Sequence, residues 1–248
     1  MPIDSETVKK QAKKALSQQW GVAILVIIIV TVLSAIGEIP EKYRYYTDMM
    51  KIYLRNTSSD GTMNYTRLVS QLDSYQMPYQ YKAISYIWGL MIAPLSYGMA
   101  AFFTRMIRNQ RVELRDAFSM FRYYLNCIAT NIMVALLTTI QMLLFVIPGV
   151  IAIYRYAMVN YIIAEEPKIR STDAIKMSGE MMKGHKMELF MVQVSFIGWF
   201  ILSMMTFGIL FVAYVGPYYN ATMAAFYDRV RYSYDCKCDN GKCDNGSF

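Results

Sequence analysis

The residue types best suited to chemistry stand at the end of the chain, in "YDCKCDNGKCDNGSF" (234–248). Cys236, Cys238 and Cys243 offer three thiols there, and a five-residue unit, KCDNG, occurs at 237–241 and again at 242–246. Thiolates are soft ligands that suit Zn²⁺ or Cu(I). A structural zinc site takes four ligands, however, and Lys237 and Asn240 break the spacing of a calcium loop. The polar, low-hydrophobicity composition favours a disordered tail over 231–248, with metal binding by the three cysteines the weaker reading. His185 is the single histidine, between Lys183 and Lys186, and reads as a solvated, headgroup-facing side chain near Glu188. No phosphate-cradling glycine loop and no GxSxG elbow occurs. These residues predict no catalytic group, no resident metal and no cofactor.

The other chemically notable side chain is an arginine inside an apolar run, in "VIPGVIAIYRYAMVNYIIAEEP" (146–167). A charge at the centre of a membrane helix costs at least about 2–3 kcal/mol unless it is paired or snorkels to the surface. Arg155 therefore needs acceptors. Taking Pro148-Gly149 as the turn of a hairpin, Gln141 lies seven residues before it and Arg155 seven after. At 1.5 Å per residue both sit about 10 Å from the turn, on adjacent helices. The expectation is a tie between Arg155 and Gln141, ahead of an anion or headgroup site at Arg155. Asn160, Gln193 and Asn220 are the other polar candidates inside apolar runs.

These side chains need elements to hold them, and composition says which. The chain is 55% hydrophobic, with a mean hydropathy of +0.23. Six runs (20–36, 83–103, 128–147, 150–164, 189–207 and 209–227) carry a single charge, Arg155. About 20 apolar residues cross the hydrocarbon layer, with about 17–25 the usual range. Five runs meet that, and the fourth, 150–164, is short. The pattern predicts an all-α, polytopic membrane protein with six transmembrane helices. The first run exceeds the apolar core of a signal peptide, so a retained span is favoured.

The basic residues then orient the chain. Lys9, Lys10, Lys13 and Lys14 precede the first run, and Arg105, Arg108, Arg111, Arg115 and Arg122 follow the second. Lys168, Arg170, Lys176, Lys183 and Lys186 follow the fourth, and Arg229, Arg231, Lys237 and Lys242 follow the sixth. With six crossings all of these share one side, so both termini are expected in the cytoplasm. The formal net charge of +7 then belongs to a face lying against anionic headgroups and needs no nucleic-acid partner.

An amphipathic stretch precedes each odd-numbered run. Val8, Ala12, Ala15 and Leu16 share one face of the first. Leu114, Phe118 and Phe121 share one in the second. The third opens on Ser171 as N-cap and carries Ile175, Met181, Met182 and Leu189. Basic amphipathic helices of this kind lie in the headgroup plane. Pro148-Gly149 and Gly208 mark the second and third turns. The returning runs also echo one another, "APLSYGMAAFFTR" (93–105) against "GPYYNATMAAFYDR" (216–229). The expected architecture is three repeats of interfacial helix plus transmembrane hairpin in one domain over 1–230. Loop 38–82 differs, with eight tyrosines and eleven charges. Met49, Met50, Tyr53 and Leu54, and again Tyr65, Leu68, Val69 and Leu72, are spaced for helical faces flanking a turn at 56–61. This predicts a small helical cap outside the membrane.

The segments "IPGVIAIYRYAMVNYIIAEEP" (147–167), "AIKMSGEMMKGHKMELF" (174–190), "SFIGWFIL" (195–202) and "GPYYNATMAAFY" (216–227), with the opening "KKQAKKALSQQW", resemble the bacterial integral membrane family catalogued as domain of unknown function 975. The likeness covers about residues 5–230. It implies a bacterial inner-membrane protein and supplies no catalytic or ligand residue to carry over. Family members often have proline where Asn160 stands. The leading functional expectation is a non-enzymatic protein engaging lipid headgroups or other membrane proteins in the cell envelope. A permease with a polar path between parallel repeats is the alternative, and an interfacial lipid-modifying enzyme using His185 and Glu188 ranks third.

Overall fold

The computed structural model describes residues 4–57, 62–76 and 78–238, and every named element among them is helical. Helix α1 (Ser5–Asn56) is followed by α2 (Tyr65–Asp73), α3 (Tyr79–Ile92), α4 (Pro94–Ile107) and α5 (Leu114–Ala117), the last continued by a 3-10 turn at Ser119–Tyr123. Then come α6 (Tyr124–Leu144), α7 (Val146–Tyr156), α8 (Val159–Glu165), α9 (Ser171–Met181), α10 (Lys186–Val194) and α11 (Ile197–Met205). A π turn, Phe211–Val215, leads into α12 (Gly216–Cys238). Five helical stretches are long and apolar enough to cross a membrane: Ser5–Asn56, Tyr79–Ile107, Leu114–Leu144, Ile147–Glu165 and Lys186–Met205. The short fourth run thus gains length from its flanks. The run 209–227 is not among the five; it contains a π turn at Phe211–Val215 and the less apolar stretch Gly216–Asn220. Helix α12 continues past Val230 to Cys238, into the stretch expected to be disordered; residues 239–248 lie outside the described ones.

The chain forms two compact units, Met1–Ile29 with Ala93–Phe248, and Val30–Ile92. In the first, Asp4 caps α1 by accepting from the Glu6 and Thr7 amides at 3.3 and 3.2 Å. Val8, Ala12, Ala15 and Leu16 are buried, the face the periodicity assigns. The amphipathic opening and the apolar run are one helix bent at Gln19 (φ −137°, ψ 32°). The Gln19 side chain secures the bend, accepting from the Val112 amide at 3.1 Å and donating to the Gln110 carbonyl at 3.0 Å.

The echoing segments pack on each other. Ala100, Ala101 and Phe102 on α4, and Ala224, Ala225 and Phe226 on α12, are all buried, and the two helices are neighbours. Small side chains let helix backbones approach, which drives association where lipid is as apolar as leucine. Helix α8 lies on α4 too. Gly98 passes so close to α5 that a Cβ there would run into the Ala117 carbonyl oxygen.

Three local expectations need correction. The second amphipathic stretch is not one continuous helix but α5 followed by a 3-10 turn. Leu114, Phe118 and Phe121 still share an exposed apolar face, with the Phe118 and Phe121 rings in contact, while Val112, Ala117 and Met120 are buried. The second hairpin turns at Phe145 (φ −156°, ψ 140°), with Pro148 and Gly149 already inside α7. Proline is tolerated in a first helical turn because its missing N–H has no partner to lose. Gly149 instead permits close contact, since a Cβ there would meet Met142 on α6. Ser171 is the first helical residue rather than the cap: Arg170 precedes α9, and the Ser171 hydroxyl donates to Asn126 Oδ1 at 3.2 Å. The third turn is as expected, at Gly208 (φ +81°), where a left-handed backbone suits glycine.

In the second unit α1 simply runs on through Pro40 to Asn56, so the cap is an extension of the first apolar helix, closed by α2 and α3. The Trp88 indole donates to the Leu33 carbonyl at 2.9 Å and the ring lies on Gly37, while Ser85 Oγ donates to the Gly37 carbonyl at 3.1 Å. Arg44 pairs with Asp48 at 2.9 Å and stacks over Tyr81.

Candidate functional site

The end of the first unit where α1 begins, α4 ends and α12 carries its charges holds a cavity of about 450 Å³. Lys10, Gln11 and Lys14 reach it from α1, Arg108 from the C-cap of α4, and Asp228 and Arg229 from α12. Two of its lining residues, Arg108 and Asp228, belong to an ion-pair network that extends beyond the cavity. Arg108 donates from Nε to Asp228 at 2.7 Å and from Nη1 to Glu165 at 2.8 Å. The Tyr227 hydroxyl donates to the other Glu165 oxygen at 2.5 Å, with its ring stacked on Tyr161 at 5.1 Å. Arg231 adds contacts to Glu165 at 3.8 Å, Glu166 at 3.2 Å and Asp235 at 3.2 Å. Burial works against the Arg108 charge, but the bonds to Asp228 and Glu165 outweigh it, and its pKa lies above the ordinary arginine value.

The outer wall is different. Lys10 pairs with Glu6 at 2.8 Å across an open surface, and exposed ion pairs of that kind hold their partners weakly. Lys14 has no carboxylate within 4 Å among the described residues. Among the described residues Arg229 donates to a neutral oxygen, Gln11 Oε1 at 3.1 Å, and burial pulls its pKa below the ordinary value although the Asp4 and Asp228 charges partly offset it. The site therefore has a neutralised floor and an under-neutralised rim of Lys10, Lys14 and Arg229. An anion in the cavity would supply the charge the rim lacks.

A protein-family model described as "Protein of unknown function (DUF975)" matches residues 1–233. The chain belongs to the DUF975 family. No curated protein and no solved structure matches it.

Within this DUF975 chain the polar candidates of the apolar runs are placed as follows. Gln141 donates to the Tyr156 hydroxyl at 3.2 Å. Arg155, one residue away on α7, is exposed and turns to α9: its guanidinium lies against Gly179, and Ser178 Oγ donates to its carbonyl at 2.9 Å. The expected Arg155–Gln141 tie is not formed: Gln141 meets the Tyr156 hydroxyl instead, and the Arg155 guanidinium lies over the Tyr156 ring. Gln193 bridges α7 and α12, accepting from the Tyr154 hydroxyl at 3.1 Å and donating to Tyr219 at 3.4 Å. Asn220 donates within its own helix to the Gly216 carbonyl at 2.9 Å, and Asn160 is half-buried on α8.

His185 is buried rather than solvated, with Nδ1 2.6 Å from Glu188. The pair is local, between the N-cap residue and the first turn of α10, and joins two side chains without capping a backbone N–H. Cys236 is disulfide-bonded, while the Cys238 side chain and all of Cys243 lie outside the described residues. No cluster of three metal-ligating side chains occurs among the described residues. Asp228 and Tyr227 went unnoticed in the sequence. Their signal was the repeat echo itself, in which "MAAFYDR" carries a tyrosine and an acid where "MAAFFTR" has phenylalanine and threonine.

Proposed function

We propose that this protein is a multi-pass, non-enzymatic protein of the bacterial inner membrane, with both termini cytoplasmic, that binds anionic lipid headgroups in the α1–α4–α12 cavity. The observation that carries this is the rim of Lys10, Lys14 and Arg229 around a cavity of about 450 Å³. A phosphate headgroup suits three such donors, and the apolar, buried face of α1 beneath them is the setting in which basic amphipathic helices meet lipid. In this reading the run 209–227 is the sixth span, and the three hairpins with their amphipathic leaders are repeats. The burial of the echoing Ala-Ala-Phe segments supports that. Against a permease, the polar side chains of the apolar runs are committed to one another, Gln141 to Tyr156 and Gln193 to both Tyr154 and Tyr219, as a closed bundle requires.

Lipid retention through purification tests the reading. The full chain should keep phosphatidylglycerol over phosphatidylethanolamine in native mass spectra. Each of Lys10→Gln, Lys14→Gln and Arg229→Gln should weaken that preference about fivefold, from about 1 kcal/mol per cation near a charged surface. An unchanged preference in the triple variant sinks the headgroup site. Cysteines introduced at Asp60 and Glu113 should label from outside and only after permeabilisation, respectively. The reverse pattern sinks the orientation.

A further inference from the structure

The C-terminal half of α1 presents two opposite faces. One carries Gly37, Arg44 and Asp48, and is occupied by Trp88, Tyr81 and Tyr75 of the same unit. The other carries Ile36, Ile39, Tyr43, Tyr46, Met50 and Tyr53, all between 42% and 73% exposed. Their spacing is 3, 4, 3, 4, 3, the a/d pattern of a heptad repeat, with no charge in the stripe. Glu38, Glu41, Lys42 and Arg44 interrupt the hydrophobicity of this half of α1, so the helix from residue 38 onward stands clear of the hydrocarbon layer. Lipid cannot cover Ile39 to Tyr53. A contiguous apolar stripe left to water marks an interaction surface.

We propose that this stripe is a homodimer seam, in which α1 of one copy pairs in parallel with α1 of a second copy about a two-fold axis along the membrane normal. Two copies inserted in the same sense can pair only with their α1 helices parallel, which sets a against a and d against d. The flanking positions then meet as Ala35 with Pro40, Lys42 with Thr47 and Met49 with Leu54. No like charges face each other, and the last pair extends the apolar seam. The exposed stripe amounts to on the order of 800 Å² per copy, which is about what each partner contributes to a standard-size interface. Tyrosine suits the role because its ring is buried while its hydroxyl reaches the rim.

The test uses the full chain in liposomes with Cys127, Cys236, Cys238 and Cys243 replaced by serine. Oxidation should cross-link Tyr46→Cys to a dimer and leave Lys51→Cys, which is exposed but off the stripe, monomeric. Independently, subunit counting by photobleaching should give two copies for the unmutated chain and one for Tyr43→Glu with Tyr46→Glu. Both replaced side chains are exposed, so the thermal midpoint should not move. A single copy for the unmutated chain, equal cross-linking from Lys51→Cys, or a dimer that survives the double glutamate variant overturns the proposal.

Discussion

Replacing Glu165 with alanine probes the ion-pair network most directly. The carboxylate accepts from Arg108 at 2.8 Å and from Tyr227 at 2.5 Å, and its side chain is only 25% exposed. Hydrogen bonds involving a charged group contribute about 1.5–3 kcal/mol each. Two of them would total about 3–6 kcal/mol, but partial exposure screens the pair and Arg108 keeps Asp228, so a loss of roughly 2–4 kcal/mol is expected. For a chain of this size that lowers the thermal midpoint by about 5–12 °C. Cys127, free and buried, is the natural reporter: in a background where Cys236, Cys238 and Cys243 are serine, a thiol-reactive dye lights up only as the bundle opens. Glu165→Gln, which keeps an acceptor for both donors, should lose less than Glu165→Ala. Combined with Tyr227→Phe, the alanine variant should be non-additive by on the order of 1 kcal/mol, as residues sharing a network are. A midpoint within about 2 °C of the unmutated chain, or an additive cycle, refutes the claim that Glu165 holds these helices together.

Gly98→Val should destabilise by about 1–3 kcal/mol in the same dye assay, because the added carbons meet a backbone carbonyl that cannot rotate away. Gln193→Leu should cost about 1–2 kcal/mol by stranding the Tyr154 and Tyr219 hydroxyls, and Tyr154→Phe in that background should recover part of the loss. Arg155→Met and Gln141→Leu should couple only through Tyr156, which accepts from Gln141 and lies under the Arg155 guanidinium, and should be additive within about 0.5 kcal/mol in a Tyr156→Leu background. Non-additivity beyond that would restore the tie between them.

The gross character of the fold was legible because it rests on counts that local detail cannot overturn. Long charge-free runs become helices whatever their exact ends, and the buried face of the first amphipathic stretch is Val8, Ala12, Ala15 and Leu16 as the period requires. Legibility failed where one helix was assumed to be continuous or discontinuous without a physical marker. Nothing in "RVELRDAFSMFRYYLN" announces the break after Ala117, where α5 gives way to a 3-10 turn. Conversely, the first apolar run and the helical face around Met49–Leu54 were read as separate elements, whereas α1 joins them through Pro40 and continues to Asn56. A proline removes one hydrogen bond but does not stop a helix whose neighbours, here Trp88 on Gly37 and Ser85 on its carbonyl, hold the chain in place.

The candidate site shows the same division in sharper form. Its cations were visible one by one, as residues flanking apolar runs, because orientation in the membrane demands them there. Their partners were not, since Arg108 meets Asp228 across 120 residues of chain and Glu165 across 57. Periodicity carries no information about such pairs. What did carry it was the echo between two segments. They match in sequence and come to pack on each other, and the positions where they stop matching, Phe103-Thr104 against Tyr227-Asp228, are where α12 carries the groups that bind Glu165 and Arg108. Segments packed on each other are free to keep small packing residues alike, because each fills the same kind of interface. They must differ where only one of them holds the ion-pair network, and such a departure between matching segments is where a site is to be sought.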